Sequence, residues 1–62
     1  MFFTKKSERN RIIRQFRAIT GGRFHAFPTA YGYLFTDGKY SLEVYRELNT
    51  ASIFRGNSVI AG

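Results

Sequence analysis

The chain has 62 residues and a formal net charge of +6 at pH 7; 44% of its residues are hydrophobic, 18% are aromatic and none is cysteine. A chain this short buries only roughly 60% of the surface its unfolded form exposes, so its core is marginal. Without cysteine it has neither disulfides nor thiolate-bound zinc to reinforce that core, and its one histidine excludes a histidine-rich metal site.

No cofactor is expected, and seven Phe and four Tyr are left to build the core of one small domain over 1–62. A homodimer is a further way to complete such a core. The opening "MFF" runs straight into Lys5 and Lys6, which is the wrong charge order for a signal peptide, and no later run is long enough to span a membrane. Residues 1–6 read as a basic, flexible N-terminus. The lack of cysteine fits a reducing compartment, so the expected location is cytoplasmic, with no membrane partner.

The charge is one-sided. Residues 1–23 hold Lys5, Lys6, Arg9, Arg11, Arg14, Arg17 and Arg23 against Glu8 alone, a balance of +6. Residues 24–62 hold Lys39, Arg46 and Arg55 against Asp37, Glu43 and Glu47, a balance of zero. Such a field favours a polyanionic partner: nucleic acid, DNA or RNA, an acidic protein surface, or anionic lipid.

In chain order, the first element is a helix near 7–19. Ile12, Ile13, Phe16 and Ile19 fall within about 120° of one another on a helical wheel, with Arg14 nearly opposite and Asn10, Arg11 and Arg17 beside it. Ser7 reads as the N-cap, and Gly21-Gly22 as the stop, where a left-handed residue is needed. The next element is a short strand over 23–27, closed by "PTA".

Asp37-Gly38 then marks a hairpin. With those two residues at its tip, Phe35 faces Tyr40, Tyr33 faces Leu42 and Tyr31 faces Val44, all on one apolar face. Gly32, Leu34, Ser41, Glu43 and Tyr45 fall on the other. The stretch 41–51 also reads as a helix capped by Ser41, or as one starting late near Glu43. The hairpin is preferred because its turn and its pairing agree independently. Finally, "ASIF" and "SVIA" flank "RGN", a last hairpin or a strand with a loose end.

The expected fold is therefore α+β: a basic amphipathic helix packed on a small antiparallel sheet of three to four strands. The order α-β-β-β, with room for a second helix, resembles the double-stranded-RNA-binding arrangement in topology alone. The expected core is Ile12, Phe16, Ile19, Tyr33, Phe35 and Leu42, with Tyr31 and Tyr40 also structural, and Tyr45 as the aromatic offered to a partner.

Catalysis has little to work with. His25 has no acid near it in sequence, and the turn takes up Asp37. His25 remains the only residue on which a small metal-free ribonuclease would depend. "GGR" at 21–23 follows a helix instead of leading into one, so it reads as a helix stop and not as a phosphate cradle. Glu43 and Glu47 look like solvated charges. The informative set is Lys5, Lys6, Arg9, Arg11, Arg14, Arg17 and Arg23, whose guanidinium forks suit phosphate. A solvated helix face normally mixes signs, and this one holds only Glu8. The expected function is a non-enzymatic module contacting nucleic-acid phosphates. The alternative is a small modulator, of the kind mobile elements encode, that docks on a larger protein.

Overall fold

A computed structural model describes residues 5–62, with side chains from Ser7 onward. The expected flexible arm at 1–6 therefore falls largely outside the described residues. The helix α1 runs Lys5–Thr20. Ser7 lies inside it and is not its cap, because Lys5 and Lys6, good helix formers, continue the helix toward the N-terminus.

The helix stops where the glycines predict. Gly21 and Gly22 take φ of 68° and 79°. The Gly22 N–H donates to the Arg17 carbonyl at 3.1 Å, the six-to-one bond of a Schellman ending. Thr20 Oγ1 also donates back to the Phe16 carbonyl at 3.0 Å.

Five strands follow: β1 (His25–Pro28), β2 (Gly32–Thr36), β3 (Tyr40–Tyr45), β4 (Thr50–Arg55) and β5 (Ser58–Ala61). They form one antiparallel sheet in the order β1-β2-β3-β4-β5. The fold is α+β as expected, but the strand count exceeds three to four because "ASIF" and "SVIA" both become full strands. Gly56, at φ 61°, helps turn one into the other. The first strand also begins two residues later than expected. Arg23 and Phe24 carry the chain off the helix, and Pro28, which has no N–H to donate, sits on the outer edge strand.

The hairpin at Asp37 forms, with its tip one residue further on. Asp37 N–H donates to the Tyr40 carbonyl at 3.2 Å, so Asp37 and Tyr40 close the turn over Gly38 and Lys39. The Asp37 carboxylate accepts the N–H groups of Lys39 and Tyr40 at 2.9 and 2.8 Å, a role it fills from the flank and not from the tip. Gly38 takes the positive φ, 97°. The pairs are consequently Phe35 with Leu42 and Tyr33 with Val44, instead of Phe35 with Tyr40 and Tyr33 with Leu42. Moving the tip by one residue moves the pairing by two, which preserves every side chain's face.

No helix forms over 41–51. β3 continues to Tyr45, Asn49 turns the chain at φ 52°, and β4 begins at Thr50. Asn tolerates that left-handed conformation. Among the described residues there is thus no second helix, and the arrangement departs from the double-stranded-RNA-binding order.

The helix lies over β4 and, to a smaller extent, β3. Ile12 and Phe16 meet Leu42, Ala51 and Ile53 to form the core, with Phe16 1% and Ile53 0% exposed. Leu42 and Ile53 are cross-strand partners, as are Val44 and Ala51. Phe24 extends the core, its ring 5.4 Å from Phe16 and 5.6 Å, edge-on, from Phe35. Two expected core residues stay outside. Ile19 is 37% exposed, in the last helical turn before the chain leaves, and Tyr33 is 45% exposed, on a strand the helix does not cover. Tyr31 precedes β2 in a loop and is 75% exposed, so it is not structural.

Candidate nucleic-acid interface

The outer face of α1 follows from the wheel. Taking Ile12 as origin, Phe16 lies at ~40° and Ile13 at ~100°, while Arg17, Arg14 and Arg11 fall near ~140°, ~200° and ~260°. The helix buries Ile12 and Phe16 against the sheet, half-buries Ile13 and leaves all three arginines exposed. At 1.5 Å rise per residue they are strung over about 9 Å of helix axis. Arg17 keeps one side on apolar ground, lining a hollow with Ile13, Phe16, Phe24, Phe35 and Leu42. Its stem packs while its head remains in solvent. Arg23, exposed just past the glycine stop, continues the positive surface.

The other members of the basic set are placed differently. Arg9 falls near ~60° on the same wheel, inside the apolar arc. It is half-buried, its Nε is buried without a hydrogen-bond partner, and one terminal nitrogen donates to Asn10 Oδ1 at 3.3 Å. Arg9 and Glu8 together line a hollow with Thr50, Ser52 and Gly62. Glu8, the only acid of residues 1–23, lines that hollow beside the start of β4; on the wheel it neighbours Arg11 and lies away from Arg14 and Arg17. Lys5 and Lys6 belong to the first helical turn, and their side chains lie outside the described residues.

Folding brings His25, Arg23 and Asp37 to one shallow depression with Thr20 and Phe24. The pairing of His25 with Thr36 does this, by setting β1 beside the strand that ends at Asp37. Asp37 is nonetheless committed to its turn. The backbone N–H groups of Tyr40 and then Lys39 hold its carboxyl below the usual range. Among the described residues no group of three His, Cys, Asp or Glu side chains is placed to hold a metal ion.

A second feature went unread in the sequence. Tyr31, Tyr45, Arg46 and Leu48 surround a hollow between the β1–β2 and β3–β4 loops. The signal available was the loop composition "PTA" before Tyr31, which places that residue off the strand. Tyr45 donates its hydroxyl to Glu43 Oε2 on the sheet face away from the helix, and that bond to a carboxylate raises the tyrosine's pKa above its ordinary 10.0.

No protein-family model, no curated protein and no solved structure matches the chain. No helix among the described residues is long and apolar enough to cross a membrane.

Proposed function

We propose that the chain is a non-enzymatic nucleic-acid-binding module whose helix α1 contacts phosphates through Arg11, Arg14 and Arg17, with Arg23 extending the contact. The observation that carries this reading is the set of three exposed arginines along the outer side of α1, where Glu8, three residues before Arg11, is the one acid of the helix and is remote from Arg14 and Arg17. Each guanidinium offers a planar fork matching two phosphate oxygens. A phosphate contact positions the protein without reading bases, so binding is expected to depend little on sequence.

Four arginine–phosphate contacts imply a slope of log affinity against log salt of about −3.6 on duplex DNA. Raising salt from about 50 to 200 mM then weakens binding about 150-fold. Fluorescence anisotropy with a labelled duplex at several salt concentrations measures this. Arg14→Glu with Arg17→Glu should flatten the slope by about 2 and weaken all sequences alike. Unchanged binding by that double variant, with circular dichroism confirming an intact helix, would remove the cationic ridge as the site.

A further inference from the structure

One helix is too narrow for this sheet. Five strands about 4.8 Å apart span ~19 Å between the outer strand axes, whereas a helix with its side chains is about 10–12 Å wide. α1 sits over β4 and β3, and among the described residues the helix-side surface of β1 and β2 is left open. That strip carries Ala26, Pro28, Tyr33 and Phe35, which share a face because Ala26 pairs with Phe35 and Pro28 with Tyr33. The first three are exposed and Phe35 is partly so. All four are apolar or aromatic. The opposite face of the sheet, in contrast, interleaves Thr36, Ser41, Glu43, Thr50 and Ser52 with its apolar residues, as a solvated face does.

The margins of the strip are cationic. Arg17 stands on its helix side, above the hollow floored by Phe24, Phe35 and Leu42. Arg46 stands at its loop end, with its guanidinium 5.5 Å from the Tyr33 ring centroid. We propose that this strip is a docking groove for an acidic amphipathic helix of another protein, which lies beside α1 with its apolar face on Tyr33 and Phe35 and its carboxylates on Arg17 and Arg46.

The dimensions fit that occupant. The midline of β1 and β2 is two to two and a half strand spacings from α1, about 10–12 Å, close to the 8–10 Å at which helices pack side by side. Strands of four and five residues give a strip about 14–17 Å long, the length of about ten helical residues. A second copy of this chain is the wrong partner. It would bring a further net charge of +6 to a groove already edged by arginines. Docking here engages Arg17 and leaves Arg11 and Arg14 free, so this groove and the phosphate-contacting ridge adjoin at Arg17 and share that one contact.

The probe is a labelled peptide of about 14 residues with leucine at i, i+3, i+4 and i+7 and glutamate elsewhere. Controls are the same residues scrambled, and lysine in place of glutamate. The full chain should bind the amphipathic acidic peptide at least about tenfold more tightly than either control, with amide shifts at Ala26, Tyr33 and Phe35. Tyr33→Ala and Arg46→Glu, both outside the ridge, should each weaken the peptide about tenfold and leave duplex-DNA binding unchanged. No binding, equal binding of the scrambled peptide, or shifts confined to the Arg11 and Arg14 face would overturn the proposal. So would a dimer in sedimentation equilibrium that Tyr33→Ala dissociates, since a second copy would then fill the groove.

Discussion

Phe16→Ala tests the layer arrangement on which both surfaces depend. Phe16 is 1% exposed and stands between the sheet residues Leu42 and Ile53 and the ring of Phe24, 5.4 Å away. Truncating a fully buried Phe costs ~3–5 kcal/mol through lost transfer energy and the cavity left behind. The tilted contact with Phe24 accounts for about 0.5–1.5 kcal/mol beyond area burial. Against this, ~0.05–0.15 kcal/mol per residue gives a chain of this length about 3–9 kcal/mol of total stability. The substitution therefore removes a third or more of it.

With a urea slope near 1 kcal/mol/M, as for the smallest proteins, the midpoint should fall by about 3–5 M or the variant should be unfolded without denaturant. Far-UV circular dichroism follows both layers together, and the loss should be one cooperative transition. Phe27→Ala is the control. Phe27 is half-exposed on the sheet face away from the helix, and its removal should cost under about 1 kcal/mol. A midpoint shift below ~1 M for Phe16→Ala, at unchanged slope, would mean that α1 does not pack on β3 and β4 as described.

Two glycine substitutions should part company. A Cβ on Gly32 would sit within van der Waals radii of the Val44 carbonyl on the adjacent strand, so Gly32→Ala must push backbone apart and should cost at least about 3 kcal/mol by thermal unfolding. Gly38→Ala meets nothing within 4 Å and bears only its positive φ, about 1–2 kcal/mol. Asp37 should leave an acid signature. Its folded-state pKa is depressed, first by the Tyr40 N–H and then by that of Lys39, so its contribution is present above about pH 4 and is lost as pH falls through the folded value. Asp37→Asn should flatten the acid limb of a stability-against-pH curve, and an unchanged limb would show that the turn does not hold that carboxylate.

The helix, its glycine stop and the hairpin at Asp37 are legible because each rests on a local rule. Period 3.6 placed Ile12 and Phe16 together, and glycines at 21, 22, 38 and 56 all adopt positive φ where the chain stops or turns. The register was missed by two because Asp-Gly was read as the turn tip, while the Asp37 side chain serves better as its flank. Face parity survived that slip, so Leu42 was still assigned inward. The core was misjudged through tertiary placement, which no local rule carries. Ala51 and Ile53 lie at its centre because β4 runs under the helix, and Tyr33 is bare because β2 does not. Arg9 belongs with the outer arginines by proximity in sequence alone, since its angle on the wheel sets it on the apolar side.

The fold itself does not ask for the arginines that remain outside. Ile12 and Phe16 hold α1 to the sheet whatever occupies positions 11 and 14. The spacing of three brings Arg11 against Arg14 and Arg14 against Arg17, and like charges so placed cost roughly 0.2–0.5 kcal/mol per pair. Lys5 and Lys6 lie in the first helical turn, where the dipole disfavours cations by a further ~0.3–1 kcal/mol each. Glutamine at Arg14 would relieve both pairs, and glutamate there would replace two repulsions with two attractions. Helix stability alone would thus favour a mixed face, for a gain of about 1 kcal/mol in a domain with few to spare. Under the proposed function, binding offsets that cost. Phosphates do so directly, since each contact relieves the repulsion as well as forming a charge-assisted hydrogen bond. The same logic predicts the sign of a simple experiment. Arg14→Gln should raise the unfolding midpoint slightly while weakening duplex binding, and a variant that loses both stability and binding would place Arg14 in the fold instead of the interface.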